Sequence, residues 1–385
     1  MKYELVDMCS ENAIIKVIGV GGGGGNAVDY MVESGIEGVE FICANTDSQA
    51  LRKLGVETKV QLGVELTKGL GAGTKPEVGK QAAEENRDRI REEIEGADML
   101  FLTAGMGGGT GTGAISVIAE VAKEMGILTV AVVTKPFEFE GKKKKVVAET
   151  GIRELERFVD SLIVIPNQKL LPVLGNNLSL SNAFNTANDV LLDAVQGITE
   201  LITSPGLINV DFADVKTVMG NMGAAIMGTG VASGDNRARE AAEKAIACPL
   251  LEDISLQGAK GILVNICADN IDLTEFDEIG NIMHAFASEE ADMKIGTAIN
   301  PDLGDAIKVT VVATGMGESS QAVNSPVKLV QKVTNGEVNY DVLDKPTVNR
   351  QKKTENRETR FGAQPKNDID LDYLDVPAFL RRQAD

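Results

Sequence analysis

The stretch Gly105-Met106-Gly107-Gly108-Gly109-Thr110-Gly111-Thr112-Gly113 lies between an apolar run at residues 99–103 and a helical pattern at residues 114–124. A turn of this composition leaves backbone N–H groups uncovered, and the helix that follows presents the positive end of its dipole, so the segment reads as a phosphate cradle. Thr110 and Thr112 add hydroxyl donors. Packing alone would explain a glycine or two, not this density together with two threonines.

Working outward, a first glycine cluster, Gly19-Val20-Gly21-Gly22-Gly23-Gly24-Gly25-Asn26, follows another β-branched run at residues 13–19. Gly19, Gly21 and Gly24 satisfy GxGxxG, a weak signal by itself. Asp47 stands near the end of the next apolar run, residues 39–44, where dinucleotide enzymes keep a ribose-binding carboxylate. An NAD(P)-binding Rossmann oxidoreductase is therefore one alternative, weakened by five consecutive glycines and by a second phosphate loop that such an enzyme does not need. The chain has no GxxxxGK[ST] and no kinase signature set, so neither of those nucleotide-binding classes applies.

Further strand-like runs at residues 127–134 and 161–165 alternate with helical patterns such as 76–94, which predicts a Rossmann-like parallel sheet with helices on both faces and a ligand at the carboxyl ends of its strands. Leu180, Phe184, Ala187, Leu191, Ala194, Ile198 and Leu201 recur at three- and four-residue steps, predicting one long central helix over 179–203 that Ser204-Pro205-Gly206 stops. Downstream, β-rich runs at 261–267 and 307–313 and helical patterns at 237–247 and 277–287 predict a second, smaller α/β domain. From about Glu318 apolar periodicity disappears, which reads as a disordered linker. Apolar residues return in 368–382 among aspartates, as in a partner-docking peptide. The expected organisation is an N-terminal tail (1–11), a nucleotide-binding domain (12–178), the central helix (179–204), a C-terminal α/β domain (205–317), a linker (318–367) and a docking peptide (368–385).

The net charge of −19 is unevenly spread. Residues 1–319 hold 27 Lys and Arg against 47 Asp and Glu, whereas residues 320–367 hold nine against five. So acidic a body argues against direct nucleic-acid or anionic-membrane binding; a bound polyanion would rely on backbone N–H groups and a metal ion. Cys9, Cys43, Cys248 and Cys267 have neither disulfide-framework nor metal-ligand spacing and read as reduced thiols of a cytosolic protein. His284, the one histidine, reads as an ordinary helix residue. The acidic N-terminus carries no signal peptide, and no apolar stretch is long enough to span a bilayer.

Several of these segments together carry a family resemblance. GGGTGTG at 107–113 stands in order with KVIGVGGGGGNAV at 16–28, NTD at 45–47, TKPFEFEGKK at 134–143, NVDFADV at 209–215 and DYLDVPAFLRRQAD at 372–385. The chain resembles the tubulin/FtsZ superfamily over residues 12–317 and, in its tail, the FtsZ family of bacterial cell-division GTPases. The resemblance implies a cytoplasmic, self-assembling GTPase that polymerises into protofilaments, builds the cytokinetic ring at mid-cell on the inner face of the membrane, and hydrolyses GTP between subunits. A GTP-binding scaffold without hydrolysis is the other alternative, and the acidic residues at 211 and 214 speak against it.

By the same resemblance Gly22, Gly23, Gly24, Gly25 and Asn26, with Gly107, Gly108, Gly109, Thr110, Gly111 and Thr112, hold the phosphates of GTP or GDP. Glu140 contacts the ribose, Lys144 the phosphates, and Phe184, Asn188 and Asp189 the guanine. Asn45 and Asp47 help organise Mg²⁺ indirectly. Asn209, Asp211 and Asp214 act on the nucleotide of the neighbouring subunit. Two residues depart from the family pattern: Lys144 stands where many relatives have Arg, giving up the bidentate fork, and Lys75 stands where Asn is common. Implied partners are the chain itself, head to tail, and, through residues 368–385, the membrane-tethering division proteins FtsA and ZipA and placement regulators. The membrane is then reached only through adaptors.

If the linker decouples the tail from the body, deletion of residues 368–385 leaves GTP hydrolysis and assembly nearly intact and abolishes binding to a membrane adaptor. Comparing light scattering, phosphate release and adaptor pull-down for the truncated and full chains checks this.

Overall fold

A computed structural model describes residues 13–174, 179–204, 206–220, 223–250, 258–288 and 291–316. The N-terminal tail, linker and docking peptide expected from the sequence lie outside these residues. A single ten-stranded sheet runs through the described chain in the order β3-β2-β1-β4-β5-β6-β7-β10-β8-β9. Its strands are β1 (Ile15–Val20), β2 (Val39–Asn45), β3 (Thr58–Gln61), β4 (Met99–Gly105), β5 (Leu128–Lys135), β6 (Ser161–Pro166), β7 (Gly223–Ser233), β8 (Gly261–Ala268), β9 (Asp292–Ile299) and β10 (Ala306–Met316). From β3 across to β7 all neighbours are parallel; β10 is antiparallel to both β7 and β8, and β8 pairs parallel with β9. Strands β7–β10 continue the sheet beyond β6; among the described residues β6 and β7 pair at three positions, Ser161↔Gly223 to Ile163↔Ala225.

The near-continuous apolar runs have the cause expected of parallel strands, burial on both faces. Along β1 the side chains alternate. Ile15 and Val17 pack with helices α1 (Gly21–Glu33) and α8 (Leu180–Thr203), while Ile18 and Val20 pack with α4 (Pro76–Glu85), α5 (Arg87–Ile94), α6 (Gly109–Glu124) and α7 (Lys142–Leu155). Two short helices, α2 (Ser48–Lys53) and α3 (Val64–Thr67), flank β3. Beyond α8 come α9 (Phe212–Met219), then α10 (Arg237–Ile246) and α11 (Leu273–Phe286), which cover β8 and β10 with a core of their own.

The structure departs from the sequence reading where local signals were weak. The glycine run after β1 is not a loop but the first turns of α1. The single helix expected over 76–94 is two, broken at Asn86, whose Oδ1 accepts from Gly63 N at 2.7 Å. Helix α11 starts four residues earlier than expected, at a capping box between Asp272 and Glu275. Strands β3, β7 and β9 went unread. β3 has one buried residue in four, and β7 (GAAIMGTGVAS) is rich in poor strand formers; its long register with β10 overrides that preference.

Helix α8 begins as expected: Ser179 accepts from Asn182 N at 3.1 Å as its N-cap. Its buried stripe starts at Ala183 and runs through Ala187, Leu191, Ala194, Ile198 and Leu201. Leu180 and Phe184, which continue that stripe in sequence, are exposed instead, Phe184 meeting only the edge of the Phe137 ring among aromatic neighbours.

Close backbone approach explains part of the glycine cluster. A Cβ at Gly24 would lie 2.3 Å from the Thr103 carbonyl oxygen, so only glycine lets α1 pack on β4. A Cβ at Gly22 meets nothing within 4 Å. Gly24→Ala is therefore expected to destabilise the fold by about 1–3 kcal/mol, as overpacking does, whereas Gly22→Ala leaves it unchanged or about 0.5 kcal/mol more stable through helix propensity. Urea unfolding of the two variants separates these outcomes.

Candidate nucleotide site

The strand order reverses between β1 and β4: from β1 the chain proceeds to β2 and β3 on one side, then crosses to β4 on the other. Crevices at such switch points bind ligands. Two helices start there, α1 at Gly21 and α6 at Gly109, and no side chain caps either. They approach closely enough that a Cβ on Gly21 would come 2.8 Å from the Gly111 nitrogen. Two helix N-termini without side-chain caps converge on one point, an arrangement suited to an anion.

A cleft of about 280 Å³ opens over this point. Of the residues expected to bind a nucleotide, Gly22, Gly23, Gly108, Gly109, Thr110, Gly111, Glu140, Lys144, Phe184 and Asn188 line it. Gly24, Gly25, Asn26, Gly107, Thr112, Asp189, Asn45 and Asp47 do not. Several of these shape the cleft from behind. Gly107 has φ +106, and a Cβ there would sit 2.9 Å from the Lys144 carbonyl oxygen; its N–H donates to Thr112 Oγ1 at 2.8 Å. The Thr110 hydroxyl shares a 2.6 Å hydrogen bond with that of Thr46, and Gly109 N donates to Gly73 O at 2.9 Å. The loop is built before any ligand arrives.

The rim carries one ion pair, Lys144 Nζ to Glu140 Oε2 at 3.1 Å, and an aromatic group in which Phe137 stacks on Phe139 and meets Phe184 edge-on with centroids 5.5 Å apart. Asp189 turns away from the cleft: its Oδ1 accepts from Tyr30 Oη at 2.5 Å, tying α8 to α1. That hydrogen bond raises the Tyr30 phenol above its ordinary pKa, with burial and the charges of Asp189, Asp193 and Glu33 adding to it.

The sequence reading missed Asn167, which follows β6 and lines the cleft. Asn167 is 4% exposed and its Oδ1 has no partner among the described residues. A buried amide oxygen left unpaired costs about 1–3 kcal/mol, so its place in the cleft wall marks a polar partner to come. Gly73, Thr134 and Pro136 also line the cleft; Thr134 and Pro136 stand in the TKPFEFEGKK segment but were given no role, and an isolated Asn such as Asn167 gives no motif to read.

The glycine loops, the dipole-bearing helix starts and the amides of Asn167 and Asn188 suit a nucleotide. For a cation the donor set is thin: among the described residues no group of three or more His, Cys, Asp or Glu can hold a metal. Asn45 Oδ1 accepts from Asp47 N at 3.2 Å, and Asp47 Oδ1 caps α2 through Gln49 N and Ala50 N. A Mg²⁺ ion commonly arrives on substrate phosphates and keeps several waters, which these residues suit as outer partners.

Asn209, Asp211 and Asp214 lie beyond the other end of α8. Asn209 Oδ1 accepts from Gly206 N at 2.8 Å, Asp211 Oδ1 caps α9 through Asp214 N at 2.7 Å, and Asp214 pairs with Lys294 Nζ at 3.0 Å. The Lys294 ammonium is held above its ordinary pKa by its hydrogen bond to Asp214 and by the charge of Asp292. From Asn188 to the end of α8 is 15 residues, about 22 Å of helix.

Comparison with known proteins agrees with this geometry. Residues 14–175 match the GTPase domain of the Tubulin/FtsZ family and residues 223–317 the C-terminal domain of the FtsZ family. The chain is 60% identical to the cell division protein FtsZ of Coxiella burnetii over 99% of each chain, and 58% identical to that of Pseudomonas aeruginosa over the full length of both. Its structure is similar to an FtsZ dimer structure from M. jannaschii, with a TM-score of 0.75 and 42% identity over 79% of this chain and 88% of that one. With a cleft of this make at the switch point and these relatives over its whole length, the chain belongs to the FtsZ family, the tubulin-like GTPases of cell division.

Proposed function

We propose that this FtsZ-family GTPase completes its active site only between subunits, the cleft of one molecule holding GTP and the Asn209–Asp214 segment of the next supplying the groups that act on it. The observation that carries the proposal is their separation by the length of α8. Neither end can reach the other within one chain, and the family assembles by self-association.

In this reading the amides at the starts of α1 and α6 hold the phosphates, Glu140 the ribose, and the Glu140-paired Lys144 the phosphate edge. Asn188 and Asn167 meet the guanine edge, whose O6 and N–H groups match an amide's donor and acceptor, with Asp189 held beside them by Tyr30. Asn45 and Asp47 would serve as outer partners of a Mg²⁺ ion carried on the nucleotide, which would supply positive charge to the phosphates. Asp211 and Asp214 orient the attacking water and take up its proton, Asn209 shaping the turn that presents them. Phosphoryl transfer depends mostly on positioning and electrostatics, so a polar segment lent by a neighbour is enough to switch it. Residues 368–385 dock on FtsA, ZipA and placement regulators, which hold the filament ring at the inner face of the membrane.

Hydrolysis per molecule is expected to collapse on dilution below the concentration at which filaments form, while GTP stays bound. Phosphate release measured across a dilution series checks it; constant specific activity down to monomer concentrations refutes a shared site. Asn188→Ala is expected to weaken GTP about tenfold, the cost of one lost hydrogen bond in a dry site, and to leave the weak binding of ATP as it was. Calorimetric titration with both nucleotides reads that difference.

A further inference from the structure

The segment that ends α8 sits on β9 as on a platform. Thr297 N donates to Ile208 O at 2.9 Å and Ile208 N donates to Thr297 Oγ1 at 2.9 Å. A Cβ at Gly206 would stand 1.7 Å from the Thr297 carbonyl oxygen, and one at Gly296 would strike Leu201 and Val210. Strand and segment therefore touch backbone to backbone. β9 also carries Lys294, whose ammonium lies 3.0 Å from Asp214 Oδ1 and 3.7 Å from Asp292 Oδ1.

The three polar side chains of the segment differ in what occupies them. Asn209 and Asp211 each accept from the segment's own backbone and so are committed to its shape. The Asp214 carboxylate meets another side chain, Lys294. In solvent such a pair contributes little to stability, and at 31% and 41% side-chain exposure both groups are open to a partner. On docking against a nucleotide polyphosphate the pair leaves water. Two carboxylates brought to an anion then repel it, and a cation fixed beside one of them offsets the repulsion and fixes which oxygen faces outward.

We propose that Lys294 is the positioning residue for Asp214. It holds Oδ1, leaves Oδ2 directed at the water on the neighbour's nucleotide, and carries a positive charge into the interface with the two carboxylates. Asp292 gives the ammonium a second place when Asp214 takes up the proton. The proposal rests on the reading that Asp214 acts on a neighbouring subunit, and deepens it.

The test uses the full chain with Mg²⁺ and GTP and compares Lys294→Met, Lys294→Arg, Asp214→Asn and the double variant Lys294→Met with Asp214→Asn. Met keeps the apolar stem and removes the charge. Thermal unfolding and GTP affinity of dilute subunits are expected to stay at wild-type values for Lys294→Met. Its kcat at saturating protein and GTP falls about tenfold, as for one lost charge-assisted hydrogen bond. Lys294→Arg keeps most of the rate, because a cation remains beside the carboxylate, and the double variant is no slower than Asp214→Asn alone. Wild-type kcat in Lys294→Met, a loss in Lys294→Arg equal to that in Lys294→Met, or a further loss in the double variant overturns the assignment. If Asp214→Asn itself keeps the full rate, the shared site falls and Lys294 with it; if Asp214→Asn is slow while Lys294→Met is not, only the role of Lys294 falls.

Discussion

Everything in this molecule depends on two helices being allowed to start at the same place. A helix N-terminus holds unpaired amides and partial positive charge, so bringing two of them together costs electrostatic energy that an anion returns. The approach also needs backbone where side chains would ordinarily stand. A Cβ on Gly24 would meet the β4 backbone at 2.3 Å, and one on Gly113 would meet the Pro76 carbonyl at 2.0 Å. Each glycine removes a collision between α1, α4, α6 and the sheet, and the cleft is the space left where the two helix starts face each other.

This separates two jobs that a glycine-rich motif blends when read as letters. Gly22 and Gly108 have open space where a Cβ would be and line the cleft; they suit a ligand's approach. Gly24, Gly107 and Gly113 face backbone and serve packing. Thr110 and Thr112 divide likewise: both hydroxyls are already bonded within the protein, so each holds the loop's shape, and Thr112 lies outside the cleft.

Much of the architecture was legible because its cause is periodic. The parallel strands near the cleft are buried on both faces and read as apolar runs; α8 shows its stripe and its cap. β7 and β9 were illegible because long-range pairing, not composition, makes them strands. The cleft was legible as far as its glycines and the residues a family resemblance carries. Asn167 escaped because nothing around it announces a buried, unpaired amide; that property exists only once β6 ends beside the start of α8. Asp189 escaped in the opposite sense: its position on the first turns of α8 brings it near the cleft, but the rotation between neighbouring helix residues, about 100°, sends it to Tyr30 while Asn188 faces in.

The same long helix that separates the cleft from the acidic segment also joins them mechanically. Tyr30 and Asp189 tie its beginning to α1, the helix that starts at the phosphate loop, while Leu201 and the segment after it are locked on β9 through Gly296 and Thr297. Lys308 Nζ reaches Asp193 at 2.6 Å midway, joining α8 to β10. A shift at either end of α8 therefore meets contacts on both halves of the sheet, which among the described residues share three β6–β7 pairs. Packed elements of this kind respond in steps rather than by continuous bending. The cleft and the Asp211–Asp214 segment are thus anchored at opposite ends of one helix, each through packed contacts of its own.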